Sequence, residues 1–227
     1  MLELINVTRE YGDLEAVSNV SFKVAKGEFV SLVGPSGAGK STIVKLLIRE
    51  ELPDSGRIIV AGRDITQLLR FELPYYRRKI GVVWQDFRLL PKKTVYENVA
   101  FALEVADAPR HEIEEKVPMI LETVGMLARS DNFPAELSGG EQQRTAIARS
   151  LVHDPKIIIA DEPTGNLDPV NSWEIIELLF KINQTGTMVM LATHNKEIVD
   201  TLKKRVITMR AGRIVADQQK GKYLLWI

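Results

Sequence analysis

A three-layer α/β fold around a mostly parallel sheet is what this sequence predicts, on three observations. Continuous apolar runs at Phe29–Val33, 80–83, 157–160 and 188–192 have the composition of strands buried on both faces. Helical spacing fills the gaps between them: 41–49 places Ile43, Leu46 and Leu47 on one face. Segments 2–7 and 19–24 alternate apolar and polar residues around the turn Tyr11-Gly12-Asp13, the pattern of half-exposed antiparallel strands at a sheet edge. Strands alternating with helices imply helices on both faces of the main sheet.

The middle of the chain changes character. From Val95 to about Leu151 strand signals give way to helical ones, and Ile113, Val117, Ile120, Leu121, Val124 and Leu127 fall on one stripe. Pro118 lies within the stripe, which predicts a kink or a later helix start. Residues 86–152 therefore read as a helical insertion within a single domain spanning 1–227.

Composition narrows the function. At 227 residues, with 45% hydrophobic and 26% charged residues, the chain suits one globular domain with a modest subdomain. Thirty basic residues balance thirty acidic ones, so no net field favours nucleic acid, and no nucleic-acid partner is expected. The absence of cysteine excludes a disulfide scaffold, a thiol nucleophile and a zinc–thiolate site. The first residues, MLELINVTREYG, lack the charge and apolar core of a secretory signal. No apolar run is long enough to span a bilayer, so any spanning part is expected from another polypeptide. The apolar end, 223–227, reads as packing back onto the fold, with membrane or partner contact as alternatives.

The chemistry is concentrated in three strings. Gly34-Pro35-Ser36-Gly37-Ala38-Gly39-Lys40-Ser41, followed by Thr42, fits G-x-x-x-x-G-K-[ST] between a buried strand and a helix. Glycines let backbone N–H groups wrap a phosphate, and the helix N-terminus adds positive potential. Lys40 is expected on the β- and γ-phosphates and Ser41 on Mg²⁺. This is the phosphate loop of a P-loop NTPase core. The second string is Ile157-Ile158-Ile159-Ala160-Asp161-Glu162, in which a core strand delivers two carboxylates at its carboxyl end. Ligands bind at that end of open α/β sheets. Asp161 is placed to hold the magnesium shell and Glu162 to orient and deprotonate an attacking water, which argues for hydrolysis. The third string, Leu137-Ser138-Gly139-Gly140-Glu141, starts an apolar helix with Ser138 and two glycines, another anion-friendly helix start.

That third string, about twenty residues before the acidic strand, resembles the signature of ATP-binding cassette (ABC) ATPases. The resemblance covers nearly the whole chain. It implies that Tyr11 stacks on adenine and that Gln85 approaches Mg²⁺ and the attacking water. It implies that Asn166-Leu167-Asp168 crosses to a partner subunit and that His194 contacts the γ-phosphate. It also implies a head-to-tail homodimer on ATP binding, with each ATP held between one subunit's phosphate loop and the other's Ser138, Gly139, Gly140 and Glu141. On these terms the catalytic residues are Glu162, His194 and Gln85, and the metal residues are Ser41, Gln85 and Asp161. The cofactors are ATP and Mg²⁺.

Within the family, DEPTGNLD at 161–168 is similar to cassettes whose membrane partners do mechanical work, and the string at 77–105 is similar to the cell-division branch. That branch implies an integral membrane partner of the FtsX type, with Asp86, Phe87, Leu89 and Leu90 as candidate coupling contacts; an ordinary apolar loop patch is the alternative reading of these four. It implies a peripheral location on the cytoplasmic side of the plasma membrane. Lipoprotein-releasing and macrolide-exporting cassettes share the same catalytic motifs and stand as the alternative. A soluble cassette without a transporter and a nucleotide-binding scaffold without turnover stand further off.

Overall fold

In a computed structural model of the chain, residues 1–221 are described, and the apolar end at 223–227 lies outside them. Strands β1 (Leu2–Tyr11) and β2 (Leu14–Val24) form an antiparallel pair joined at the predicted turn. They do not edge the main sheet. With β4 (Ser55–Val60) and β5 (Arg63–Asp64) they build a separate four-stranded sheet in the order β2-β1-β4-β5. The half-apolar pattern of β1 and β2 is satisfied by covering the core from outside rather than extending it. The two sheets are tied where Ser18 N–H donates to the Gly212 carbonyl at 2.8 Å.

The main sheet contains β3 (Phe29–Val33), β6 (Ile80–Trp84), β7 (Ile157–Asp161), β8 (Met188–Thr193), β9 (Arg205–Arg210) and β10 (Arg213–Gln218). Its order is β10-β9-β3-β8-β7-β6, parallel throughout except for β10 on β9. Every residue of β3, β7 and β8 is buried, as apolar runs covered on both faces require. Successive residues serve opposite layers. Ile157 and Ile159 pack with helix α1 (Lys40–Leu47) and the antiparallel sheet. Ile158 and Ala160 pack with the helices of the other face.

That second face carries α3 (Val95–Glu104), α4 (Arg110–Thr123), α5 (Gly139–Leu151) and α6 (Pro169–Gln184). Between β5 and β6 lies α2 (Leu73–Arg77), and α7 (Lys196–Leu202) precedes β9. Pro118 neither ends nor delays α4, which begins at Arg110 and runs through it. Burial of Val117, Ile120 and Leu121 against the helical layer outweighs the one backbone bond that proline removes. Leu127 leaves the stripe, since it falls beyond the helix and is exposed.

Candidate functional site

The carboxyl ends of β3, β7 and β8 converge on a cleft of about 890 Å³ lined by Tyr11, residues of the phosphate loop, Gln85, Glu162 and His194. The loop from Gly34 to Gly39 leaves β3 and enters α1 directly. Gly39 caps that helix at φ 100°, and a Cβ there would lie 2.3 Å from the Ala16 carbonyl oxygen. Only glycine fits both the left-handed backbone and that approach. A Cβ at Gly34 would strike the Met209 carbonyl at 2.3 Å. The loop is thus clamped between β2 and β9. Pro35, Ser36, Gly37, Ser41 and Thr42 line the cleft, while Ala38 faces the core.

Lys40 is 6% exposed, and its Nζ donates to the carbonyls of Gly34 at 2.8 Å and Pro35 at 3.1 Å. The same ammonium lies 3.5 Å from Glu162 Oε1. Glu162 takes a left-handed backbone (φ 48°), a strained conformation for a side-chain-bearing residue. It is fixed by bonds from its N–H to the Ala192 carbonyl and from Gly165 N–H to its own carbonyl. This bend carries the carboxylate to the end of β8, where it meets His194 Nδ1 at 2.9 Å and accepts from His194 N–H at 3.3 Å.

Asp161 remains in the strand and is buried. Burial pushes its carboxyl up, the Ser41 hydrogen bond holds it down, and the negative charge of Glu162 pushes it up again. Its Oδ1 is buried without a hydrogen-bond partner. A desolvated carboxylate with an orphaned oxygen, bonded to a serine hydroxyl beside a phosphate loop, suits a hard divalent cation. The residues present fit Mg²⁺.

The signature residues lie elsewhere. None of Ser138, Gly139, Gly140 or Glu141 lines the cleft. Ser138 caps α5: its Oγ accepts from Glu141 N–H at 3.3 Å while Glu141 Oε2 accepts from Ser138 N–H at 2.8 Å. These bonds, with the Ser138 hydroxyl and the Arg129 and Arg144 charges, hold the Glu141 carboxyl below its ordinary value. A Cβ at Gly140 would meet Asn171 Oδ1 at 2.2 Å, so α5 and α6 approach through a bare backbone. Asp168 caps α6, accepting from the N–H groups of Val170 and Asn171 at 3.0 Å each. Tyr11 stands at the cleft rim with the Arg9 guanidinium 4.9 Å from its ring centre. One chain therefore brings together Tyr11, the phosphate loop, Gln85, Asp161, Glu162 and His194, and leaves the signature apart.

Three contributors were missed. Ala211 and Gly212, in the β9–β10 turn, line the cleft, and the hairpin pattern around them was the available signal. Gln143 is fully buried on α5 and donates to the carbonyls of Trp84 at 3.2 Å and Pro163 at 2.6 Å. Those carbonyls immediately precede Gln85 and follow Glu162. Gln143→Leu strips both carbonyls of their buried donor. It is expected to lower the unfolding free energy by about 2 kcal/mol, read as a reduced urea midpoint at unchanged slope. An unchanged midpoint contradicts the role given to these bonds.

Comparison with known proteins places this architecture. The ABC transporter family pattern matches residues 17–165. The cell division ATP-binding protein FtsE of Bacillus subtilis is 51% identical over 224 residues, covering 98% of both chains. FtsE of Mycobacterium tuberculosis is 49% identical over 225 residues, again covering 98% of each. Among solved structures, the dimeric post-hydrolysis state of the ATP-binding cassette MJ0796, bound to ADP and Pi, superposes with a TM-score of 0.86 at 33% identity. That match covers 98% of this chain and 100% of the other. Phosphate loop, acidic strand end and separate signature helix thus occur in a chain that belongs to the ABC transporter family, as one of its ATP-binding and ATP-hydrolysing cassettes.

Proposed function

We propose that this chain is the ATPase subunit of a cell-division membrane complex and that it hydrolyses ATP in two pockets shared between two copies. The observation that carries the shared pocket is the separation of Ser138–Glu141 from a cleft that already holds the phosphate-loop lysine and the Glu162 carboxylate. Each protomer has one half of the binding surface at the cleft and the other half at the start of α5. Head-to-tail pairing brings unlike halves together. The dimeric cassette bound to ADP and Pi supports pairing of two copies.

Within the pocket, Lys40 and the phosphate-loop N–H groups bind the triphosphate. Tyr11, at the cleft, offers its ring to adenine. Ser41, Asp161 and Gln85 would hold Mg²⁺, which when bound would supply neutralising charge at the phosphate oxygens. Glu162 accepts a proton from the attacking water at its carboxylate. His194, tied to Glu162 and 65% exposed at its side chain, faces the γ-phosphate and fixes the carboxylate's orientation. From the partner copy, Ser138 and the N–H groups of Gly139 and Gly140 close over the same phosphate, and Asp168 lies in the loop that crosses between copies.

The cell-division assignment is supported by full-length relatives of that name at about half identity. No helix among the described residues is long and apolar enough to cross a membrane, so a spanning partner of the FtsX type would recruit the cassette to the cytoplasmic face. The loop at Asp86, Phe87, Leu89 and Leu90 is the contact proposed for it. Phe87 and Arg88 are both left-handed there, and Arg149 grips their carbonyls at 3.0 and 2.6 Å. The loop is therefore a stiff element able to pass a push to α5. Affinity purification from native membranes tests the assignment. Recovery of an FtsX-type protein is expected, and recovery of a lipoprotein-releasing or macrolide-exporting permease instead overturns it.

A further inference from the structure

Gln85 and Asn166, 81 positions apart, exchange two hydrogen bonds. Asn166 Nδ2 donates to the Gln85 carbonyl at 3.0 Å, and Gln85 Nε2 donates to Asn166 Oδ1 at 3.2 Å. These bonds determine each other's polarity. A backbone carbonyl only accepts, so Asn166 must turn its nitrogen toward it. The Asn166 oxygen then faces the Gln85 side chain, which can answer only with its own N–H. Oε1 of Gln85 is the atom left over, on a residue that lines the cleft with Lys40, Ser41 and Glu162. Gly165 completes the fit, since a Cβ there would lie 2.8 Å from Gln85 Nε2 and 2.9 Å from its Cδ. The loop backbone is thereby pressed against the amide it orients.

We infer that Asn166 is a positioning residue that sets the Gln85 amide so that its oxygen, rather than its nitrogen, is offered to the metal bound with ATP. A hard cation takes oxygen ligands and not an amide N–H₂, so the wrong face of Gln85 would oppose binding. This rests on the reading of Gln85 as a metal-approaching residue. It adds a physical link, because Asn166 is two residues from Asp168, in the loop that crosses to the partner copy. A shift of that loop on dimer closure would turn or release the Gln85 oxygen, so that the metal shell senses the interface.

The test is nucleotide binding without turnover. Calorimetric titration with the non-hydrolysable analogue AMP-PNP, in EDTA and in excess Mg²⁺, gives for each variant the gain in affinity that the metal supplies. Asn166→Ala is expected to reduce that gain about three- to tenfold while leaving the affinity in EDTA unchanged, which general damage to the pocket would not do. Gln85→Ala is expected to reduce it at least as much, and the double variant no further, since both act through one oxygen. If Gln85→Ala keeps the full gain, the metal reading of Gln85 fails and the inference with it. If Gln85→Ala loses the gain while Asn166→Ala keeps it, or if the two losses add, the positioning role alone is overturned.

Discussion

Glu162→Gln is expected to cut ATP turnover by about 10²–10⁴-fold, the range lost with a positioned general base, while ATP binding survives. Glutamine keeps the length and planarity of the side chain and can still face His194, which approaches Glu162 Oε1 at 2.9 Å. The left-handed backbone at 162 is set by bonds to Ala192 and Gly165 that do not involve the side chain. What disappears is the acceptor for a proton. The variant should therefore accumulate as an ATP-loaded dimer, seen as a nucleotide-dependent shift in size-exclusion elution. Phosphate release near the wild-type rate would contradict the assignment of Glu162 as the base.

Two further substitutions should abolish turnover for different reasons. Lys40→Met removes the buried ammonium between the Gly34 and Pro35 carbonyls and Glu162. Hydrogen bonds from a charged donor contribute about 1.5–3 kcal/mol, so nucleotide affinity is expected to fall roughly ten- to a hundredfold. Ser138→Arg places bulk and charge at the start of α5, outside the cleft of its own chain. It should leave nucleotide affinity of the isolated protomer near normal and eliminate hydrolysis, because only a partner's site loses a wall. Losing the Ser138 cap costs about 1 kcal/mol, small enough for the fold to tolerate. Fluorescent-nucleotide titration separates the two outcomes. Equal loss of affinity in both variants would contradict the division of labour.

The parts of the fold that were legible in the sequence are those whose signal is local. Strands β3, β6, β7 and β8 were readable because they are largely covered on both faces, so apolar residues dominate each run. The interruptions are Ser31 in β3, Gly81 in β6, Thr193 at the end of β8 and the carboxyl-terminal Asp161 of β7. The phosphate loop was readable because its glycines, Lys40 and Ser41 form one contiguous string between a strand and a helix, although the contacts that require Gly34 and Gly39 come from Met209 and Ala16 far along the chain. Strands β4, β5, β9 and β10 went unread. Short, partly exposed segments such as Arg213–Gln218 take their identity from the neighbour they pair with, here β9. Gly212 lines the cleft for the same reason, through pairing across the hairpin rather than through a motif. Gln143 on α5 looks in sequence like any polar helix residue. Its importance comes from complete burial beneath two carbonyls 59 and 20 positions away. The link between Asn166 and Gln85 is invisible for the same reason. Of the two outcomes expected at Pro118, a later helix start does not occur, since α4 begins at Arg110 and runs through the proline.

The central claim is that neither protomer owns a complete catalytic pocket. Lys40→Met and Ser138→Arg protomers, each inactive alone, can be mixed and their ATPase rate measured. In a mixed dimer one pocket carries both lesions and the other carries none. The account predicts recovery of activity on mixing, rising with the fraction of mixed dimer. Mixtures that stay inactive although the mixed dimer is shown to form, or an isolated Ser138→Arg protomer that hydrolyses ATP at the wild-type rate, would contradict it.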